Sequence, residues 1–136
     1  MEAKCVKWSR LSGGSGAPMW TLYAAGFNPR AFKKTEAALV QNTCDNPALF
    51  PKMIWSTNYA RHVCQTIFTL FWAGRQFAPK AIIDGVNIQD YLQGHYIVAI
   101  KHLAQRIFDA GDLVGEVVVG FESMNEPHRG LIGIPD

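Results

Sequence analysis

The chain has 136 residues, 49% of them apolar, with 13 lysines and arginines against 11 aspartates and glutamates. That profile fits one soluble globular unit. A net charge of +2, spread along the chain without a Lys/Arg block, leaves no electrostatic footprint for nucleic acid or for an anionic membrane as the main partner.

The opening run MEAKCVKWSRLSGGSGAP carries charges throughout and no apolar core, so no secretory signal is expected. The strongest apolar run, Thr66 to Gly74, falls far short of the roughly 20 residues a membrane span needs. It is expected to be a buried helix segment. Cys5, Cys44 and Cys64 are odd in number and irregularly spaced, which predicts free thiols in a reducing compartment rather than a disulfide framework or a zinc site. The absence of any Asn-x-Ser/Thr sequon agrees. An intracellular location, cytoplasmic or vacuolar, is expected.

In chain order, LSGGSGAP (11–18) reads as a loop. From Trp20 to Gln41 aromatic residues alternate with turn signals such as Asn28-Pro29, and TEAALVQ predicts a short helix starting near Thr35. Between Pro51 and Trp72, Ile54, Ala60, Val63, Cys64, Ile67, Phe68 and Phe71 fall at helical spacing. Pro51 suits a first turn, and Gly74 lies near the end. A second helix is capped by Asn87, has Asp90 in its first turn, and places Leu92, Tyr96, Ile100, Leu103 and Ile107 on one apolar stripe before Gly111. Beyond it, EVVVGFES is a β-branched, nearly continuous apolar run, the pattern of a strand covered on both faces in a parallel sheet. No good partner strand is legible ahead of the helix, and no internal repeat or low-complexity tract is present.

That strand runs into Ser123-Met124-Asn125-Glu126-Pro127, which puts an amide and a carboxylate where a buried parallel strand opens onto its C-terminal loop. Active sites of barrel enzymes lie there. A Glu at a low-dielectric barrel mouth is suited to protonate a leaving-group oxygen. Asn125 can hold a neighbouring hydroxyl, and Pro127 stiffens the turn that aims both side chains. Glu122 is no partner nucleophile: four residues of strand span about 13 Å, whereas a retaining pair of carboxylates sits about 5 to 5.5 Å apart. His128 and Arg129 follow immediately and either touch substrate hydroxyls or belong to a solvated loop. His62, His95 and His102 lie in helical patterns without ligand spacing and read as structural.

The SMNEP run resembles the Asn-Glu-Pro signature of glycoside hydrolase family 5. The runs WSRLSGGSGAPMWTLYAAGFN, FPKMIWSTNYAR, FAPKAIIDGVNIQDYLQ and SMNEPHRGLIG resemble its fungal endoglycoceramidase-related branch, which cleaves glucosylceramide and steryl glucosides. The resemblance covers Trp8 to the C-terminus. It implies a (β/α)8 TIM-barrel fold, present here as an incomplete, mostly helical α/β fragment, and a retaining β-glucosidase reaction without metal or organic cofactor. It makes Glu126 the general acid/base and Asn125 the ligand of the sugar 2-hydroxyl. The implied substrate is a glycolipid, with peripheral membrane contact through that substrate.

On this map residues 1–7 are atypical, 8–86 form a long strand-to-helix insertion, 87–111 a barrel helix, and 116–127 the barrel strand carrying the acid/base. The family places a His before WSR and a nucleophilic Glu on a later strand; neither is found in this chain. Catalysis by these 136 residues alone is therefore not expected. The aromatic residues Trp20, Tyr23, Phe27, Trp55, Phe71, Trp72 and Phe77 fall in the insertion, where they serve either as ordinary core or as an apolar wall for a sterol or ceramide. Two other readings stay open: a catalytically silent remnant binding lipid or a partner, and a polysaccharide-active hydrolase of the same clan.

Overall fold

The computed structural model describes residues 18–38, 58–124 and 127–134. Its elements in chain order are α1 (Met19–Ala24), a 3-10 turn (Pro29–Ala31), α2 (Phe32–Thr35), α3 (His62–Phe77), β1 (Ile82–Ile83), β2 (Val86–Asn87) and α4 (Ile88–Asp109). The described chain is thus mostly helical with one two-stranded antiparallel sheet.

Short elements at the start are set by local chemistry. Thr21 Oγ1 donates to the Pro18 carbonyl at 2.7 Å, and Gly26, at φ +79°, lets the Phe27 N–H turn back to the Leu22 carbonyl at 2.9 Å. Asn28 then accepts from the Arg30 N–H, with Pro29 in the first turn, so the Asn-Pro signal yields a 3-10 turn. Thr35, the expected start of a helix, is instead the last residue of α2, and residues 39–41 of the expected helix lie outside the described residues. Glu36 adopts a left-handed φ of 52° as its C-cap, and Thr35 Oγ1 turns its hydrogen bonds onto Ala31 and Ala37.

Helix α3 is the centre of the packing. The expected helix from Pro51 to Trp72 begins only at His62 and runs on to Phe77; residues 51–57 lie outside the described residues. No side chain caps its start, and the N–H of Val63 is met by the Ala37 carbonyl at 3.1 Å. Its first half packs Val63 and Ile67 against Leu22, Phe32 and Ala38, and its second half packs Leu70 against Ile88 and Leu92 of α4. Leu22 of α1 belongs to the first cluster, Trp20 packs against the second and the C-cap Ala25 touches both, so α1 bridges them. Cys64 is a buried free thiol whose pKa burial pushes up from 9.0 to about 11. Cys5 and Cys44 lie outside the described residues.

Gly74 lies near the end of α3, as expected, but inside the helix. It is buried against the start of α4, where a Cβ would meet Gln89 Cβ at 3.0 Å and Ile88 Cγ2 at 3.2 Å. Just before it, Ala73 breaks the helical backbone at φ −140° and ψ 28°. The Arg75 N–H and the Phe71 carbonyl would pair with each other in an unbroken helix. Here Gln89 Oε1 accepts from the first at 3.1 Å and Gln93 Nε2 donates to the second at 2.6 Å. Two glutamines one turn apart on α4 thus satisfy the kink. Arg75 also forms a two-pronged ion pair with Asp90.

Ahead of α4 stands a short antiparallel hairpin, which the sequence pattern does not announce, pairing Ile82 with Asn87 and Ile83 with Val86. Its turn is Asp84-Gly85, with φ 48° and 82°, a two-residue turn of the mirror-image type that matches strand twist. Asn87 then caps α4 as expected, accepting from the Gln89 N–H at 3.0 Å while its amide donates to the Ala78 carbonyl at 3.2 Å. The helix stops at Asp109, and Gly111 follows at φ +82°. Its apolar stripe is buried only at the start. Leu92 is inside, whereas Leu103 is exposed together with Ile97, Val98 and Phe108.

Of the strand expected over 116–127, residues 125–126 lie outside the described residues and the described part does not form a strand. Val114 and Val118 make an isolated bridge, Val117 is 71% exposed and Val119 is 99% exposed. The physical reason is pairing: a parallel strand exists only through a ladder on its neighbours, and no described segment lies alongside this one. No described helix is long and apolar enough to cross a membrane.

Candidate active site

Asn125 and Glu126, the expected hydroxyl ligand and acid/base, lie outside the described residues. The chain on their C-terminal side is described, and it is docked. His128 sits against α3 and the turn before it, with its ring centroid 4.6 Å from that of Tyr59 and 6.2 Å from that of Phe68. Its carbonyl accepts from Trp72 Nε1 at 3.2 Å. Its Nδ1 accepts from the Gly130 N–H at 2.8 Å, so in the neutral ring the proton resides on Nε2, which can still donate.

One turn further on, the Leu131 N–H donates to Thr69 Oγ1 at 2.7 Å, and the same hydroxyl donates to the Gln65 carbonyl at 2.7 Å. Gly130 is buried directly on the α3 backbone, where a Cβ would lie 2.6 Å from the Thr69 nitrogen. Arg129 faces outward and is exposed, as are Pro127 and Glu122. Of the expected site residues, the structure therefore places His128 in a packed, hydrogen-bonded position and leaves Arg129 at the surface.

The aromatic residues of the insertion divide in a way the sequence left open. Trp20 is packed edge-on to Tyr91 and His95 of α4, Phe27 to Phe32 and His62, and Phe71 to Tyr96. Tyr23 and Phe77 are exposed, and Trp72 serves His128. Trp55 lies outside the described residues. His95 and His62 are thus ring-packing residues and His102 an exposed helix residue, in line with structural roles. Among the described residues no group of three His, Cys, Asp or Glu side chains could hold a metal ion.

Sequence reasoning missed Tyr59, Thr69 and Gly130. Only Gly130 carried a signal, since a glycine directly after NEPHR marks a position where backbone conformation or close approach excludes a side chain.

Over nearly its whole length this chain is similar to one segment of much longer fungal proteins. The chain is 76% identical over 129 residues to a glucosylceramidase of Aspergillus fumigatus, covering 95% of this chain and 17% of that protein. It is 50% identical over 138 residues to the ergosteryl-beta-glucosidase of Saccharomyces cerevisiae, covering 93% of this chain and 18% of that one. A crystal structure of Cryptococcus neoformans sterylglucosidase 1 superposes with a TM-score of 0.83 at 53% identity, over 93% of this chain and 18% of its own. The resemblance drawn from the motif runs is therefore real along nearly the whole chain. The chain spans about 18% of the length of these relatives. No protein-family profile matches it.

Proposed function

We propose that this chain is the acid/base-bearing part of a retaining β-glucosidase that hydrolyses the O-glycosyl bond of a glycolipid, glucosylceramide or a steryl β-glucoside. The observation that carries the reading is its similarity, over 93–95% of its length, to proteins named for those two substrate classes. Glu126 protonates the glycosidic oxygen as the bond to the aglycone breaks, then removes a proton from the water that releases glucose from the enzyme. Asn125 holds the sugar 2-hydroxyl, and His128 and Arg129 border the substrate on the loop beyond.

The second carboxylate, which attacks the anomeric carbon, comes from a part of the enzyme other than these residues. In this reading the whole enzyme is a (β/α)8 barrel. The run 116–127 is one of its strands and α4 one of its outer helices, each covered by neighbouring elements. The exposed apolar side chains of both segments support that assignment, because a barrel buries such positions. The enzyme meets a membrane only peripherally, through its lipid substrate, and works inside the cell.

The test is hydrolysis by the full-length native protein of a steryl β-glucoside, glucosylceramide and a cello-oligosaccharide, with the anomer of the released glucose followed by NMR. The proposal expects β-glucose from the glycolipids first, with little competition from the oligosaccharide. Preferential cleavage of the oligosaccharide would instead make this a polysaccharide-active enzyme.

A further inference from the structure

The loop that begins one peptide bond after Glu126 is fastened to α3 and the turn before it at three points of different chemistry. Trp72 Nε1 holds the His128 carbonyl at 3.2 Å, the Tyr59 ring packs on the imidazole at 4.6 Å, and Thr69 Oγ1 receives the Leu131 N–H at 2.7 Å. The Thr69 hydroxyl has no freedom to turn away. It donates its proton to the Gln65 carbonyl at 2.7 Å, which leaves a lone pair directed at Leu131. Gly130 closes the contact, because at φ +73° and with a would-be Cβ 2.4 Å from Thr69 Oγ1 no other residue fits without displacing the helix or the loop.

We propose that Thr69 and Trp72 are positioning residues for the carboxylate of Glu126, acting through this latch on residues 128–131. The inference rests on the acid/base role proposed for Glu126 and adds how that side chain is aimed. Pro127 joins the two: its ring fixes φ, so anchoring of the His128 backbone is transmitted to the peptide that carries the glutamate. An acid must be held at hydrogen-bond distance from the leaving oxygen to within a fraction of an ångström, and a displacement of about 1 Å costs on the order of a hundredfold in rate. Helix α3 belongs to the insertion rather than to the barrel wall in the proposed architecture. The insertion therefore acts on the chemistry as well as on the shape of the site.

The experiment exploits the fact that acid assistance matters in proportion to the basicity of the leaving group. In the full-length native protein, Thr69→Val removes the acceptor of the Leu131 N–H at nearly constant shape, and Thr69→Ser retains it. We expect Thr69→Val to lower kcat/KM for an alkyl or steryl β-glucoside by about tenfold or more. The same variant should leave kcat/KM for a dinitrophenyl β-glucoside, whose phenolate departs unprotonated, within about twofold. Thr69→Ser should restore the first value. Hydrogen exchange should show the Leu131 amide exposed in the Val variant and protected in the Ser variant.

Equal losses on both substrates, or no loss on either, overturn the inference. Glu126→Gln serves as the control that separates the two claims. If it shows the selective loss and Thr69→Val does not, the latch is only structural; if Glu126→Gln itself shows no selectivity, the acid/base reading falls and the inference with it.

Discussion

Helices α3 and α4 are built from the same apolar vocabulary and meet opposite fates. Over 16 residues α3 buries Val63, Cys64, Ile67, Thr69, Leu70 and Gly74, with neighbours on several sides. Over 22 residues α4 buries only Ile88 and Leu92, both in its first turns. Beyond them Ile97, Val98, Leu103 and Phe108 are exposed, continuous in sequence with the exposed Val114, Val117, Val119 and Phe121. The difference lies in what each helix finds beside it. An amphipathic pattern states which face can be buried, and burial itself requires a partner surface.

The contrast is sharpest in a pair of core truncations. Leu22→Ala removes a fully buried side chain from the cluster on α3 and should cost about 2–5 kcal/mol in denaturant unfolding. Leu103→Ala, at 55% exposure, should change stability by no more than about 0.5 kcal/mol in these 136 residues. Equal costs would show that the outer half of α4 is covered in solution. In the full-length protein the barrel proposal expects the Leu103 value to rise toward that of Leu22.

Next in size is Gly130→Ala. Its Cβ would fall within 2.6 Å of the Thr69 backbone at a left-handed φ, and the variant should lose about 1–3 kcal/mol. The loss should appear as released amide protection at Leu131, with α4 unaffected. Asn87→Ala removes the cap of α4 and a bond to Ala78, and should cost about 1 kcal/mol, read from the melting midpoint. The smallest effect is expected for Arg75→Ala. Its partner Asp90 and its own side chain are 38% and 63% exposed, so the change should stay below about 1 kcal/mol and shrink further with salt.

Cys64 gives the packed half a pH signature. Its thiol titrates at about 11 when folded against 9.0 otherwise, because burial disfavours the thiolate. Below pH 9 both states hold the proton and the group contributes no slope. As pH climbs from about 9 toward 11 the unfolded chain ionises first, so stability falls. Cys64→Ala should remove that slope, and the folded wild-type thiol should resist modification at pH 8.

Much of the molecule was legible before any coordinates. Asn87 as a cap followed from residue type and spacing, as did the buried stretch through Val63, Ile67 and Leu70. The hairpin was not legible: Asp84-Gly85 is a two-residue turn signal, but with only two residues on either side it carries no strand pattern. The end of α2 was not legible, since the left-handed Glu36 contradicts the helical promise of TEAALVQ. The strand in EVVVGFES was read from a pattern whose realisation depends on pairing partners that no local pattern supplies.

At the site, Glu126 and Asn125 were legible as a motif and His128 as a neighbour. Thr69 and Tyr59 were not, because the latch joins residues far apart in sequence: Trp72 with His128 at a separation of 56, Thr69 with Leu131 at 62, and Tyr59 with His128 at 69. Nothing in local periodicity encodes a contact across such a gap.

The most direct test of the account is Glu126→Gln in the full-length native protein, assayed for hydrolysis and for binding of a steryl β-glucoside. The account predicts that hydrolysis is abolished while binding is largely preserved, because the substitution removes the transferable proton and little else. Hydrolysis near the wild-type rate would contradict it and remove Glu126 from the chemistry.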